Sequence, residues 1–493
     1  MKNDFKFIDL FAGIGGFRLG LSNIGGTCIN FSETNKEAIT TYCLNYNEES
    51  SLNLGDITKI KELPLHDLLT GGVPCQSWSI AGKNLGFDDD RGQLWNDTIY
   101  LLNKSKPKSF IFENVKGLVD PRNKEAFEYI LKRIEEAGYF AKYYLINSFD
   151  YGIPQSRVRV YIIGFKEKKY FDKFELPSHI NSNLTLSDIL DEKLNLIIDK
   201  NQKNKNTNKK NFSLSSNSGF NDYFSFNDLR NGQTTIHSWD ILKTTQKQKN
   251  ICLLLLKNRR KKAYGPLDGN PLSLKNFQEL DSAITQKDLD QLIKLNILKS
   301  ENYSFSYNKY LDISSVTLTD EEKLFLSIIN NSDFIIDSII NNKTIRQKRI
   351  SVKPIVESLI IKNILSCNEI RYDFKNTKIS TGLFGVNRIF LANSSTFPTL
   401  VASDTNDYIA TVMITAESDE EYKQKFIEEI YNKKNYRKIS KSEACKIQGF
   451  PSDFKLPEHR AKWMKLIGNS VSVPVIEILG KAILETGVFD NQD

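Results

Sequence analysis

Six cysteines are scattered through the 493-residue chain, and one of them, Cys75, stands in TGGVPCQSWSIAGK, directly after a proline and two glycines. A free thiol is only a few per cent ionised near neutrality, so a nucleophilic cysteine needs help from its surroundings. Gly71, Gly72 and Pro74 shape a turn that exposes such a thiol and aims backbone amides at it. Glu113, in FIFENV, ends an apolar stretch. A carboxyl half-buried there has a raised pKa and donates a proton near neutral pH. Arg157 and Arg159 alternate with Val158 and Val160, which places both on one face of a strand. Two guanidinium groups side by side suit an anion or a carbonyl-rich substrate. Taken singly, each residue has a plainer explanation: a buried small side chain, a capping carboxylate, a solvated strand edge.

Those groups need a frame. FIDLFAGIGGFRLGL (Phe7 to Leu21) reads as a strand, a glycine-rich turn and a helix. Its glycines, Gly13, Gly15 and Gly16, are not spaced as GxGxxG, so the turn points only to some nucleoside cofactor. Glu33 ends the next strand and suits the two hydroxyls of a ribose; Asp56, in LGDIT, suits an adenine amino group. Strands and helices alternate to about residue 166, the rhythm of a doubly wound α/β sheet. The helical pattern returns at 436–480, with turns at Gly449-Phe450-Pro451 and Gly468-Asn469.

Hydrophobic residues make up 40% of the chain and charged residues 26%, the balance of a globular protein. The sequence shows no apolar run of membrane-spanning length and no signal-peptide shape, so a cytoplasmic protein with no membrane partner is expected. No CxxC pair occurs and there are four histidines, which argues against a metal. Net charge is +7, mildly favouring a polyanionic partner. The run DKNQKNKNTNKKNF (199–212) reads as a loop, and no internal repeat is evident.

Eight stretches in order resemble the cytosine-C5 DNA methyltransferases: DLFAGIGGFRLGL, GDI, GGVPCQSWSIAGK, DDDRGQLW, ENV, QSRVR, EACKIQGFP and GNSV. Residues 1–166 and 436–480 carry the likeness. It implies a Rossmann-like doubly wound mixed sheet of the class I S-adenosylmethionine-dependent type. Residues 1–180 and 436–493 would form the catalytic domain, and 181–435 a large inserted α+β target-recognition domain. It implies S-adenosylmethionine held by Phe11, Gly13, Ile14, Gly16, Glu33, Thr34, Asp56, Ile57, Gly72, Pro74, Leu94 and Asn469. Cys75 would attack C6 of a flipped-out cytosine, Glu113 would hydrogen-bond N3 and the exocyclic amine, and Arg159 would contact O2 with Arg157 in support. The segment 76–93 would close over the base, with Ser79 and Lys83 at the DNA together with Gln155 and Thr399. Lys446 departs from the family, which often has arginine there; a planar bidentate contact would be lost.

The resemblance also implies double-stranded DNA as substrate, a monomer, and a bacterial restriction-modification setting with a cognate endonuclease. Within 181–435, the basic runs KNRRKK (257–262) and RQKR (346–349) suit phosphates. ITQKDLDQLIKLNILKSENYSFSY reads as a helix followed by a short hairpin, the pattern of a winged helix with Lys287 and Lys294 at DNA and equally of any small helix–strand packing unit. A tRNA methyltransferase of the same fold and a DNA-binding paralogue without catalysis are the rival functions.

Overall fold

The computed structural model describes residues 5–74, 90–180, 184–191, 195–196, 223–226, 235–242, 244–265, 269–308, 310–329, 333–335, 352–375, 385–386, 388–394, 396–414, 416 and 419–490. Cys75, Ser79, Lys83, the 199–212 run and RQKR lie outside them. The chain forms two compact units, one of residues 1–223 with 389–493, the other of residues 224–388. The sequence reading draws these divisions at 180/181 and 435/436.

The first unit is built on a six-stranded sheet. Its elements run β1 (Phe5–Leu10), α1 (Gly16–Ser22), β2 (Gly26–Ser32), α2 (Lys36–Tyr46), β3 (Leu68–Gly72), α3 (Asp90–Ser105), β4 (Ser109–Val115), α4 (Lys124–Glu136), β5 (Phe140–Asn147), β6 (Gln155–Ser156) and β7 (Val158–Phe165). The sheet order is β2-β1-β3-β4-β7-β5. β1 to β4 are parallel, while β7 runs antiparallel to both β4 and β5. The central strands are buried on both faces, which is why FKFIDL and SFIFENV read as nearly unbroken apolar runs.

The second unit contains α5 (Gln246–Asn258), β8 (Leu272–Ser273), α6 (Leu274–Leu280), α7 (Gln286–Lys294), β9 (Leu298–Tyr307), α8 (Asp320–Ile329), β10 (Phe334–Ile335), α9 (Val352–Ile361) and β11 (Leu365–Phe374). These strands form one sheet in the order β8-β11-β9-β10. The helix expected within residues 284–307 is α7, but the hairpin expected after it does not form. Residues 298–307 are a single ten-residue strand, and its main partner is β11, far along the chain. The reading of no internal repeat also fails. A helix, a short strand and then a helix leading into a long strand recur on either side of residue 310, with α6 an additional helix on the first side among the described residues.

The chain returns to the first unit through β12 (Phe397–Pro398), β13 (Asp407–Ala410), β14 (Tyr436–Arg437), α10 (Lys441–Gln448), α11 (Arg460–Asn469) and α12 (Val473–Glu485). β12 pairs with β6, and β13 with β14. Side chains alternate across the sheet. Phe7 packs with Phe17 and Leu21 of α1 and Val475, Ile476 and Leu479 of α12; Ile8 and Leu10 pack with Trp95 and Ile99 of α3 and Ile130 of α4. Helices therefore cover both faces. Residues Arg460–Glu485 are long and apolar enough to cross a membrane, which the sequence reading did not find; they are mostly buried here as α11 and α12.

Candidate active site

The chain leaves β1 toward β2 on one side and reaches β3 on the other, so the loops at the carboxyl ends of these strands splay apart at the crevice where open α/β sheets bind ligands. A cavity of 390 Å³ lies there, within the 300–1,000 Å³ range of small-molecule sites. Phe11 and Gly13 line it from the β1 turn, Glu33 and Thr34 from the end of β2, and Asp56 and Ile57 from the next loop. Gly72 and Pro74 follow β3, Leu94 lies on α3, and Asn469 closes α11. Glu113, Arg157 and Arg159 line the same cavity.

Two residues expected at the cofactor, Ile14 and Gly16, are not among those lining the cavity. Ile14 is fully buried in the core with Phe450 and Ile467. Gly16 lets α1 approach Ser470 and Val471: a Cβ there would lie 2.7 Å from the side-chain atoms Ser470 Oγ and Val471 Cγ2 and 3.3 Å from Val471 O. Ser32, Asn35 and Lys465 also line the cavity, and no motif singled them out.

The glycine turn is held from two directions. Glu33 Oε2 accepts from Gly13 N (2.9 Å), and Oε1 accepts from the amides of Thr34 and Asn35 (both 2.8 Å). Tyr46 donates its hydroxyl to Gly15 O (2.6 Å). Gly15 has φ 85°, and a Cβ on it would lie 2.3 Å from the Tyr46 ring, so only glycine fits. Phe11 adopts φ 53°, a left-handed conformation that costs a non-glycine residue about 1–3 kcal/mol and persists only where the surroundings enforce it. Asp56 caps the short turn Ile57–Lys59, accepting from Thr58 N (3.1 Å) and Thr58 Oγ1 (2.9 Å), and these bonds hold its pKa below the ordinary value.

Glu113 and Asn114 act on the segment that leads to Cys75. Gly72 pairs with Glu113 across the sheet, and a Cβ on Gly72 would stand 3.8 Å from Glu113 Oε2. Asn114 Nδ2 donates to Val73 O (3.1 Å), fixing the turn one residue before Pro74. Burial raises the Glu113 pKa; Arg159, whose Nε lies 3.1 Å from Oε1, and Arg157 oppose that rise.

The two arginines are not an equivalent pair. Arg159 belongs to β7 and faces Glu113. Arg157 precedes that strand, is buried, and donates to the carbonyls of Leu400 (3.1 Å), Gly468 (3.3 Å) and Ser470 (2.7 Å). It is a clamp between segments far apart in sequence.

Two residues expected at the DNA are held within the fold. Gln155 has no exposed surface, because it sits in β6 against β12. Thr399 is half-buried and spends its hydroxyl on Ser156 O (2.7 Å). Lys446 forms an ion pair with Asp191 (2.8 Å) and donates to Ile189 O (3.2 Å), so its charge serves the fold.

The chain matches the family described as C-5 cytosine-specific DNA methylase over residues 5–266 and 245–485. It is 40% identical to the Type II methyltransferase M.HgiBI of Herpetosiphon aurantiacus, over 99% of this chain and 98% of that protein. It is 34% identical to M.BanI of Aneurinibacillus aneurinilyticus, over 66% of this chain and 84% of that one. Identity to M.NlaIV of Neisseria lactamica is 30%, over 98% and 99%. A likeness that runs the length of the chain, on a sheet whose crevice gathers the carboxyl, the arginines and the glycine turn, places this protein in the C-5 cytosine-specific DNA methylase family, enzymes that methylate C5 of cytosine in DNA.

Proposed function

We propose that this enzyme methylates a cytosine flipped out of duplex DNA, through a covalent bond between Cys75 and C6. One observation carries the reading: Glu113 and Asn114 both act on the Gly72–Val73 segment, and Cys75 is the second residue after it. Consecutive Cα atoms are about 3.8 Å apart, so a cysteine two residues beyond this segment has the chain length to bring its thiol to the Glu113 carboxyl in the proposed reaction.

The cradle fits S-adenosylmethionine. Glu33 is already oriented by three backbone amides at the cavity edge, and Gly13 leaves its Cβ side open toward it. Phe11, Gly13, Glu33, Thr34, Asp56, Ile57, Gly72, Pro74, Leu94 and Asn469 would hold it. When bound it supplies an electrophilic methyl group.

The Cys75 thiolate adds to C6 of the ring, which turns C5 into the nucleophilic carbon of an enamine. Glu113 shares a proton with N3 and accepts from the exocyclic amine, so charge does not accumulate on the ring. Arg159 neutralises charge at O2 while Arg157 holds the site together. After C5 takes the methyl group it loses its proton, and the C6–sulfur bond breaks to restore the thiolate. None of these ring atoms is reachable in stacked duplex, so the base must leave the helix, and the segment after Cys75 would close over it.

We assign the enzyme to the type II modification role that its relatives' names describe, acting as a monomer beside a cognate endonuclease. Labelled S-adenosylmethionine offered with duplex DNA or with tRNA tests the substrate. Transfer to DNA alone is expected, and transfer to tRNA alone would refute the reading.

A further inference from the structure

The second unit repeats itself in detail. α5 and α8 open on equivalent capping boxes, Thr245 with Gln248 and Thr319 with Glu322. α7 and α9 end on equivalent asparagines in left-handed conformation, Asn296 (φ 59°) and Asn363 (φ 57°). The closing bonds match: Asn296 N to Ile293 O with Ile297 N to Leu292 O, and Asn363 N to Ile360 O with Ile364 N to Leu359 O. Even the helix-to-helix contacts correspond. Gln248 Nε2 donates to Gln291 Oε1 (3.4 Å), and Ser358 Oγ donates to Glu322 Oε1 (2.7 Å).

The sheet has the symmetry such a repeat generates. β9 and β11 pair antiparallel, with Leu298 opposite Phe374 and Tyr307 opposite Leu365. Matching Asn296 to Asn363 maps each of these pairs onto the other, so a pseudo-two-fold axis passes between the strands. The outer strands obey it too: Leu272 lies opposite Tyr372, and Phe334 opposite Phe305. Each helical cluster borrows its neighbour's strand. Leu289, Leu292 and Ile297 pack with Tyr372 and Phe374; Val356, Leu359 and Ile364 pack with Phe305.

The two copies differ on the face they show to solvent. α7 exposes Lys287, Asp290 and Lys294; the matching positions of α9 are Pro354, Glu357 and Ile361, the last 81% exposed, so the acidic position is kept and the two lysines are replaced. The lysine that follows α9, Lys362, is tied to Glu322. Residues 224–388 hold 25 lysines and arginines against 17 aspartates and glutamates, so the chain's net positive charge of +7 resides in this unit. Phosphates are met by exposed cations, and the positions of α9 that match Lys287 and Lys294 carry none.

We infer that residues 245–374 are a duplicated winged helix in which the copies exchange a strand, that α7 of the first copy contacts duplex DNA, and that the second copy is its scaffold. The inference rests on the DNA substrate proposed above. In an ordinary winged helix a short wing joins the two long strands; here β9 and β11 are joined by the second copy's elements that precede β11. It keeps β11 at the centre of the sheet and supplies Tyr372 and Phe374 to the core under α7.

The symmetry provides the control. In the full-length enzyme, Lys287→Glu with Lys294→Glu is compared with Pro354→Glu with Ile361→Glu, by affinity for a methylatable duplex over a salt series. The lysine pair is expected to weaken binding about tenfold or more and to lower the salt slope by about one per cation lost. The α9 pair is expected to leave both unchanged. Equal losses from the two pairs would overturn the division of labour, and no loss from the lysine pair would overturn DNA contact by α7. If the unsubstituted enzyme methylates no DNA at all, it is the underlying reading that has failed.

Discussion

Asp9 sits at the end of β1 beneath the glycine turn with no exposed surface. Thr70 Oγ1 lies 3.2 Å from Oδ1, and Oδ2 has no partner among the described residues. Burial pushes its pKa up to about 7, against the pull of the Thr70 hydrogen bond. The folded state therefore holds a proton that the unfolded chain releases near pH 4. Stability from this group is present below pH 4 and is lost as pH rises toward 7. Asp9→Asn removes the dependence. In thermal melts from pH 5 to pH 8, the unsubstituted protein is expected to lose Tm relative to the variant as pH rises, and parallel curves would contradict this. The raised pKa of Glu113 was legible in the sequence, since a carboxyl in FIFENV ends an apolar strand. The burial of Gln155 was not, because it depends on β12, more than two hundred residues away.

At the scale of elements, Arg157 joins three segments. The loop before β7, the strand end at Leu400 and the turn after α11 meet on one guanidinium. Lysine keeps the charge but not the planar fork, so Arg157→Lys strands at least one buried carbonyl. A loss of about 2–4 kcal/mol in denaturant unfolding is expected. The sheet itself was readable, because parallel strands buried on both faces leave continuous apolar runs. The reversed direction of β7 and the coupling of 389–435 to the first unit were not, since register and crossover lie in tertiary contacts.

At the scale of the molecule, the strand exchange in residues 245–374 makes the two copies one cooperative body. Leu359 is fully buried in the second cluster and matches Leu292 in the first. Leu359→Ala costs about 2–5 kcal/mol by cavity formation. Hydrogen exchange should then rise in α7 as well as in α9, because β11 serves both cores. Exchange confined to α9 would show that the copies unfold separately. The repeat escaped the sequence reading because few residues are shared and the elements are unevenly spaced in the two copies; only from α7 and α9 onward do core positions and turns keep one offset.

The account stands or falls on Cys75. Duplex DNA incubated with S-adenosylmethionine and the enzyme, then digested to nucleosides and weighed by mass spectrometry, should contain 5-methylcytosine. With Cys75→Ser the product should vanish while DNA binding persists. Undiminished 5-methylcytosine from the serine variant, or a methyl group on any other position of the base, would contradict the mechanism.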